Sequence, residues 1–332
     1  MITNNTPSAD GRIHRIIVTG VTGTLGRNVL GELATQPDTR VLALVRATSL
    51  ISKVIPGVQY ERVDFQAPES LAPLIQGFHP TAVIHCAATG MPASTVAWEG
   101  LVRFNVDASV RLCEMTARVA GCHFVFVSTG LAYRDAGRPL TEVDALDSRI
   151  PYAASKAAAD ILVRAAAVAL GMPVTVLRPF SFSGPGDVGA RLFPSLLRAA
   201  ERNEPLDLSA GDQIRDHCAA ADIARGIVLA ATRDITSGEA QVINLGSGCT
   251  LPLRRLLQRL VDELGLKVTL NFGARACGPF EPKYLVADIS RARAVLDWEP
   301  RVNFAYAIWQ LAQESFPVLK LKQPRPSLQE GA

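Results

Sequence analysis

The stretch Thr19-Gly20-Val21-Thr22-Gly23-Thr24-Leu25-Gly26 decides the fold, because its three glycines join a β-branched run to a helical pattern. The run from Ile13 to Thr19 predicts a strand, and residues 24–36 predict a helix. Glycines at such a junction permit a tight turn and let backbone amides approach a pyrophosphate at the helix N-terminus. We therefore expect a dinucleotide to bind here. The expected contacts are Gly20, Thr22, Gly23, Thr24, Leu25 and Gly26.

The rest of the first half repeats this alternation of strand and helix patterns. Further strands are predicted at residues 40–45, 58–63, 82–85, 124–127 and 174–177, and further helices near 99–120 and 152–170. Such alternation predicts an α/β protein with a Rossmann-type doubly wound parallel sheet. After Pro179 the pattern loosens into loops rich in glycine and proline. This change predicts a smaller mixed α/β C-terminal domain that binds the substrate.

The predicted domain boundaries follow from these changes of pattern. The dinucleotide-binding domain is expected at 13–180 plus about 217–246, and the substrate domain at 181–216 plus 247–321. Residues 1–12 are predicted to be a disordered N-terminus and residues 322–332 a flexible tail, since both segments are polar or rich in proline.

Composition narrows the function classes. A net charge of +3 over 332 residues, with dispersed Lys and Arg, predicts small-molecule partners and no nucleic acid. Six cysteines without a Cys-x-x-Cys pair predict reduced thiols and no metal site. The first twelve residues lack the apolar stretch of a signal peptide, and the most apolar stretch is interrupted by Gly171 and Pro173. We therefore expect a cytoplasmic protein without membrane contact.

The end of the second strand bears on the choice of cofactor. An acidic residue there would bind the ribose 2'-hydroxyl, but the sequence has Val45-Arg46-Ala47-Thr48-Ser49. Arg46, alone or with Thr48 or Ser49, can bind a 2'-phosphate, which favours NADP(H) over NAD(H). A solvent-exposed arginine is the alternative, and NAD(H) stays possible. Other expected cofactor contacts are Asp64 and Phe65 after the third strand, and Ala87 and Ala88 after the fourth.

The stretch Tyr152-Ala153-Ala154-Ser155-Lys156 places a phenol and an amine one helical turn apart. The pKa of a free phenol is about 10, and a cation at ~4 Å favours the phenolate. Tyr152 is therefore a candidate general acid/base for a hydroxyl or carbonyl oxygen, with the hydroxyl of Thr129 upstream. The alternative is an ordinary helix with an exposed Tyr and Lys.

These motifs together resemble the extended short-chain dehydrogenase/reductase family of NAD(P)-dependent nucleotide-sugar epimerases, dehydratases and ketoreductases. The resemblance covers nearly the whole chain. Its carriers are TGVTGTLG, VIHCAA, FVSTGLAY, YAASK, LRPFSFSGPGD, GDQIRDHCAAADIA, INLGSG and ADISRARAVLDWEP. It implies that Thr129 hydrogen-bonds the reacting sugar oxygen and that Tyr152 exchanges its proton. It also implies that Lys156 binds the nicotinamide ribose, that Pro179 lies against the cofactor, and that hydride moves at a sugar carbon, most often C4.

The same resemblance implies a nucleotide-diphosphate sugar as substrate and a homodimer. Arg215, in the segment that matches the family's Arg-Asp-aromatic motif, would contact the phosphates. Arg191 and Arg275 are further candidates, although each of these arginines could instead be a solvated surface residue. Gly130 and Ser181 are expected beside the sugar.

Departures from the family pattern narrow the chemistry. Gly130 and Leu131 stand where the 4,6-dehydratases have an acidic pair, so dehydration is not expected. Ser181 and Ser183 replace the usual Asn and Tyr, which predicts a roomier sugar pocket. His217 replaces the usual aromatic residue after Arg215-Asp216, and we interpret it as a structural histidine.

Two reactions remain within the enzyme class. The first is an NADPH-dependent 4-ketoreductase of a deoxysugar nucleotide, which agrees with Arg46 and the absence of the dehydratase acids. The alternative is an NAD-dependent nucleotide-sugar 4-epimerase, for which small residues at 181 and 183 leave room for the sugar to turn. A non-catalytic NADP(H)-sensing protein is the hypothesis from another class, and it leaves the Tyr-Lys pair unexplained.

Overall fold

The computed structural model describes residues 13–51, 53–65, 67–90, 97–233, 238 and 240–328. The strands are β1 His14–Thr19, β2 Thr39–Arg46, β3 Val58–Val63, β4 Ala82–His85, β5 His123–Val127, β6 Val174–Pro179, β7 Ser181–Ser183, β8 Leu206–Leu208, β9 Ile214–Arg215, β10 His217–Ala219, β11 Ala240–Leu245, β12 Leu270–Phe272 and β13 Tyr284–Leu285. The predicted disordered segment 1–12 lies outside the described residues.

The helices complete the alternation. They are α1 Thr24–Leu33, α2 Ala72–Phe78, α3 Trp98–Leu101, α4 Ala108–Ala117, α5 Pro151–Leu170, α6 Leu192–Arg202, α7 Ala220–Thr232, α8 Leu253–Leu264, α9 Ser290–Leu296 and α10 Phe304–Ser315. A π-helical segment, Val102–Asp107, joins α3 to α4, and short 3-10 turns occupy Pro68–Leu71 and Gly130–Ala132.

The central sheet has, among the described residues, seven strands in the order β11-β6-β5-β4-β1-β2-β3. The pairings from β6 to β3 are all parallel. The chain progresses outward in opposite directions from β1 and β4, so the topological switch point lies between these two strands. In open α/β sheets, ligands bind outside the carboxyl ends of the strands at this point. The prediction of a Rossmann-type doubly wound sheet is confirmed.

Burial explains why the local pattern predicted these strands. Every residue of β4, β5 and β6 is buried, as expected for parallel strands covered on both faces. Some polar residues inside this core are hydrogen-bonded across strands. His123 Nε2 of β5, for example, lies 3.0 Å from Thr175 Oγ1 of β6. The sheet is therefore a rigid support for the loops that follow its carboxyl ends.

The chain forms two compact units. Of the described residues, those within 1–129, 151–178 and 224–243 form the first unit, and those within 130–150, 179–223 and 244–332 form the second. The segment 130–150 groups with the second unit, whereas its predicted place was in the dinucleotide-binding domain. The reason is long-range backbone pairing, because Leu140 N–H donates to Val286 O at 2.8 Å and Leu140 O accepts from Asp288 N–H at 2.9 Å.

The second unit has its own core between α6, α8 and α10, with Leu196, Leu257 and Leu311 fully buried. Short parallel ladders join β7 to β10, β8 to β12 and β9 to β13. The end of the chain also contacts this unit, since Lys322 N–H donates to Leu264 O at 2.9 Å and Leu328 N–H to Arg301 O at 2.9 Å. These hydrogen bonds involve part of the segment 322–332 that was predicted to be a flexible tail, and residues 329–332 lie outside the described residues.

Among the described helices, none combines the length and the hydropathy needed to cross a lipid bilayer.

Candidate active site

The tyrosine and lysine of the YAASK motif lie in the first two turns of α5, a 20-residue helix that begins at Pro151. Proline suits this first position because its ring presets the helical φ angle and its missing N–H is not needed there. The alanines that follow favour the helix. Tyr152 is half-buried, and Lys156 is 1% exposed. One turn of helix therefore separates the phenol-bearing and amine-bearing residues, as the spacing predicted.

The amine of Lys156 is an unusual buried group. Its Nζ lies 4.1 Å from the centroid of the Phe126 ring and has no hydrogen-bond partner among the residues that the structure describes. Burial lowers the pKa of Lys156 to about 7, while Cys86 and Asp160 act in the opposite direction. A buried amine without a hydrogen-bond partner is costly unless a ligand satisfies it. Lys156 is therefore able to donate a hydrogen bond to an oxygen atom of a ligand.

A buried ion pair fixes the helix that carries these residues. Asp160, one turn after Lys156, accepts hydrogen bonds from Arg178 of β6, from Nε at 2.8 Å and from Nη2 at 3.0 Å. Arg164 Nε adds a third at 2.9 Å. Both Asp160 and Arg178 are almost fully buried. This pair was not identified from the sequence, although Arg178 belongs to the LRPFSFSGPGD stretch.

Thr129 follows β5 at the carboxyl edge of the sheet and is 8% exposed. The neighbouring Ser128 N–H donates to Leu177 O at 2.7 Å, which fixes the backbone as it leaves the strand. Thr129 thus belongs to the same compact unit as Tyr152 and Lys156. The three predicted catalytic residues lie on elements at the edge where ligands of such sheets bind.

The residue after Thr129 has no room for a side chain. A Cβ at Gly130 would lie 2.7 Å from an atom of the Phe180 ring. An acidic side chain at this position would have to displace a buried aromatic ring. The packing around Gly130 is therefore incompatible with the acidic pair of the dehydratases.

The glycine loop at the end of β1 packs closely against backbone. Gly20 has φ +74°, and a Cβ there would lie 2.5 Å from Ala87 N. A Cβ at Gly26 would collide with the Gly20 carbonyl. Gly23 is the N-cap of α1 and provides no capping side chain. Only glycine fits the two crowded positions, and the start of α1 is left for an anion to approach.

The other predicted loop residues surround this turn. Thr22 and Thr24 are half-buried, and Leu25 is buried beneath the start of α1. After β4, Ala87 is half-buried and Ala88 is exposed. The small side chain of Ala87 allows the close approach to Gly20.

Arginines mark the carboxyl ends of β2 and β3. Arg46 is the last residue of β2 and is exposed. The side chain of Arg62 reaches the same turn, where its Nη1 donates to Ala47 O at 2.6 Å and to Ser49 O at 3.1 Å. Asp64 after β3 is exposed, and Phe65 packs against the core. Arg62 was not identified from the sequence, because its role depends on the pairing of β3 with β2.

These observations fit a nicotinamide dinucleotide. The crowded glycines allow backbone to approach a pyrophosphate, and the amine of Lys156 lacks a partner that a ribose hydroxyl can supply. The structure contains no group of metal-ligating side chains within its described part.

In the second unit, Ser181 and Ser183 have different surroundings. Ser181 is half-buried in β7. Ser183 is fully buried, and its hydroxyl donates to Asp187 Oδ2 at 2.6 Å. Arg191 donates to the same carboxylate through Nη1 at 2.8 Å and to Phe182 O through Nη2 at 3.0 Å. The hydroxyl of Ser183 is therefore engaged within the protein, while Arg191 supports this loop.

Arg215 of β9 pairs with a carboxylate. Its Nη2 lies 3.0 Å from Glu281 Oε1, and its Nε is buried without a hydrogen-bond partner within the described residues. Two residues on, the ring of His217 packs edge-on against Phe193 at 5.2 Å. Burial lowers the pKa of His217 to about 3, with smaller contributions in the same direction from Arg215 and Arg191. Arg275 is exposed.

Asp216, between these two residues, is a structural carboxylate. It is fully buried and accepts from Ser247 N–H at 2.6 Å, Gly248 N–H at 2.9 Å and Ala287 N–H at 3.1 Å. The carboxylate therefore joins three segments of the second unit and fixes the backbone on which Arg215 and His217 stand. Its place in the quoted GDQIRDHCAAADIA stretch was the only sequence signal for this role.

Comparison with known proteins agrees with this arrangement. The profile of the NAD dependent epimerase/dehydratase family matches residues 16–246. A UDP-glucuronate 4-epimerase of Thermodesulfobacterium geofontis is 26% identical over 86% of this chain and 91% of its own length. A GDP-6-deoxy-D-mannose reductase of Pseudomonas aeruginosa is 26% identical over 89% of this chain and 94% of its own. The structure of MoeE5 in complex with UDP-glucose and NAD superimposes with a TM-score of 0.80 at 24% identity, covering 92% of this chain and all of that one.

The fold, the glycine loop and the tyrosine-lysine pair on the helix before β6 together define a class of Rossmann-type α/β proteins. Within that class the match over residues 16–246 is decisive. The chain belongs to the NAD-dependent epimerase/dehydratase family of the extended short-chain dehydrogenases/reductases.

Proposed function

We propose that this protein moves a hydride at C4 of a nucleotide-diphosphate sugar, with Tyr152 as the general acid/base. The observation that carries the proposal is the buried amine of Lys156, one turn from Tyr152, without a hydrogen-bond partner among the described residues. A ribose hydroxyl and a phenolate oxygen are the acceptors that such an amine needs.

Each residue has a defined task in this proposal. A bound nicotinamide supplies or accepts the hydride. Tyr152 gives a proton to the sugar oxygen, or removes one, and Thr129 donates a hydrogen bond that orients this oxygen. Lys156 stabilises the phenolate form of Tyr152 by its charge. The loop Thr19–Gly26 would bind the pyrophosphate through backbone amides, and Pro179 would contact the nicotinamide end of the cofactor.

The second unit would bind the nucleotide diphosphate. Arg215 is the first candidate, because its Nε is buried without a partner in the described part of the chain, while Glu281 pairs with its Nη2. Ser181 is available to the sugar. Arg191 would act through the loop that it supports, and exposed Arg275 would contact only the outer part of a ligand.

For the specific reaction we favour an NADPH-dependent 4-ketoreductase of a deoxysugar nucleotide. Two arginine side chains, Arg46 and Arg62, belong to the carboxyl ends of β2 and β3, and the β2 end lacks the carboxylate that would select NAD(H). Two guanidinium groups favour a 2'-phosphate. The crowding at Gly130 argues against a dehydratase.

A 4-epimerase that retains NAD is the second candidate. It is favoured by the names of several relatives, which are UDP-glucose or UDP-glucuronate 4-epimerases. Ser183 is buried and its hydroxyl donates to Asp187, so this residue does not offer its hydroxyl to a turning keto sugar.

One experiment separates the two reactions. The cofactor that copurifies is released and identified, and the protein is then mixed with NADPH and a nucleotide-linked 4-keto-6-deoxysugar while the nicotinamide absorbance is followed. Stoichiometric NADPH consumption supports the reductase. Tightly bound NAD, with interconversion of C4 epimers and no net NADPH consumption, would replace it with the epimerase. Failure of both reactions across UDP-, dTDP- and GDP-linked sugars would contradict the proposal.

A further inference from the structure

A chain of buried hydrogen bonds starts at Thr19, the last residue of β1, and runs beneath the site. Thr19 Oγ1 lies 2.7 Å from His85 Nδ1, and His85 Nε2 lies 2.9 Å from Ser109 Oγ. Ser109 Oγ donates to the carbonyl of Asn105 at 2.8 Å. All four side chains are 0 or 1% exposed. His85 therefore joins the strand that precedes the glycine loop to the helical segment around α4.

The hydrogen-bond pattern assigns the tautomer of His85. The single hydroxyl proton of Ser109 is given to Asn105 O, so Ser109 Oγ accepts from His85 Nε2–H. Nδ1 then carries a lone pair and accepts from the hydroxyl of Thr19. The oxygen of Thr19 in turn accepts from the N–H of Ala87 at 3.3 Å. Every hydrogen-bond donor in this part of the chain of hydrogen bonds has an acceptor.

Asn105 extends the chain to the catalytic helix. Its Oδ1 accepts from Thr89 N–H at 2.9 Å, and its Nδ2 donates to Thr89 O and to Ser155 Oγ, each at 2.9 Å. Ser155 Oγ donates to the carbonyl of Tyr152 at 2.7 Å. The last acceptor of the chain is thus the backbone of the proposed acid/base, and the first donor is the N–H of Ala87, against which Gly20 packs.

The surroundings of His85 keep it neutral. Its ring is stacked with Phe124 and Phe126 at centroid distances of 6.1 and 5.9 Å. Burial lowers the pKa of His85 to about 3, and the charge of Lys156 acts in the same direction. The ring therefore offers one fixed donor and one fixed acceptor throughout the neutral pH range.

We propose that His85 is a positioning residue that sets the dinucleotide loop and the Tyr152 helix in one arrangement. Through Thr19 it holds the Ala87 amide against which Gly20 packs, and through Ser109 and Asn105 it holds the first turn of α5. The inference rests on the proposed function, because it assumes that the loop binds a dinucleotide.

The test measures the dissociation constant of NADPH and of NADH by fluorescence titration, without substrate, for the full chain. His85→Phe keeps the stacked ring and removes both hydrogen bonds. We expect it to weaken dinucleotide binding roughly 10-fold. The matched control is His123→Phe, which removes another buried histidine from the same sheet, one whose ring Nε2 pairs with Thr175 and not with a residue of the chain described above. We expect it to leave both dissociation constants unchanged, although it also loses a buried hydrogen bond.

A double-mutant cycle tests transmission through the ring. Thr19→Val and Ser109→Ala remove the hydroxyl groups on its two sides, and these groups do not bond to each other. Their effects on the dissociation constant should be non-additive by roughly 3- to 10-fold when His85 is present. They should become additive in the His85→Phe background. If His85→Phe does not fold, the cycle in the native background still tests the inference, because non-additivity there shows that the Thr19 and Ser109 hydroxyl groups are coupled.

Two results would overturn the inference. Additive effects of Thr19→Val and Ser109→Ala would show that the ring transmits nothing, and equal losses of affinity in His85→Phe and His123→Phe would show a general loss of packing. If the unmodified protein binds the dinucleotide and no substitution alters the affinity, the inference alone fails. If the unmodified protein binds neither dinucleotide, the proposed function fails, and this inference fails with it.

Discussion

At the scale of single residues, the chemistry of the proposed site depends on one hydroxyl. Tyr152→Phe removes the proton that the mechanism transfers and keeps the ring. We expect kcat to fall by about 10² to 10⁴, the usual contribution of a general acid/base. The dissociation constant of the dinucleotide should stay close to that of the unmodified protein. Steady-state kinetics and fluorescence titration measure the two quantities.

Tyr306→Phe is a suitable control, since Tyr306 lies in α10 of the second unit, stacked on Trp309. It should retain full activity. A Tyr152→Phe variant as active as this control would remove Tyr152 from the mechanism.

Arg46 can be tested by reversing its charge. Arg46→Asp places at the end of β2 a carboxylate that can bind a ribose 2'-hydroxyl and repel a 2'-phosphate. We expect the ratio of kcat/KM for NADPH over NADH to fall by at least about 10-fold, equivalent to one tenfold step of ~1.4 kcal/mol. Arg40→Asp changes an exposed arginine of the same strand near its opposite end and should leave the ratio unchanged. Equal ratios in both variants would mean that Arg46 is only a surface residue.

At the scale of secondary-structure elements, the local sequence pattern was sufficient to predict those strands and helices in which buried residues recur at a regular spacing. The strands of the central sheet and the helix that carries the YAASK motif were predictable because β-branched runs and alanine-rich turns have intrinsic preferences. The grouping of 130–150 with the second unit was not predictable, because it depends on the pairing of Leu140 with residues 286–288. The surroundings of Ser183 were also missed, because its acceptor Asp187, although only four residues away, belongs to a network with Arg191 that no periodic sequence pattern indicates.

The buried ion pair between α5 and β6 has a predictable effect on stability. Asp160→Ala leaves Arg178 charged and buried without its partner, which typically costs about 3–5 kcal/mol of unfolding free energy. We expect urea unfolding to show this loss, together with a lower kcat, because α5 carries Tyr152. Asp107→Ala removes the exposed i,i+4 partner of Arg111 and should cost less than about 1 kcal/mol. Similar losses in the two variants would contradict the structural role of the buried pair.

At the scale of the whole molecule, we propose a homodimer that forms through the outer face of α5. Ile161, Leu162 and Val168 are between 45 and 65% exposed on this helix. Val168→Asp should shift the protein toward monomer in sedimentation-velocity experiments, because it places a charge on an apolar contact. Val143→Asp changes a more exposed valine in a loop and should have no effect. A native protein that is monomeric at all concentrations would disprove the proposal.

Buried histidines determine how the stability of the whole molecule responds to acid. Burial lowers the pKa of His85 and His217 to about 3 and that of His123 to about 4. In the unfolded chain the pKa of a histidine is about 6.5. Below that pH the unfolded state binds protons that the folded state does not. The contribution of these histidines to the unfolding free energy is therefore complete above pH ~6.5 and is lost as the pH falls toward the folded pKa values.

Each such histidine contributes up to about 1.4 kcal/mol per pH unit to this loss. His217→Phe removes one of them and keeps an aromatic ring next to Phe193 and Phe304. Its unfolding free energy should therefore fall less steeply than that of the native protein between pH ~6 and ~4.5. The difference between the two slopes should correspond to the uptake of about one proton on unfolding. Carboxyl groups titrate alike in both proteins, so their contribution cancels in the comparison. Urea unfolding at several pH values measures the difference, and parallel curves would mean that His217 gains its proton in the folded state as readily as in the unfolded chain.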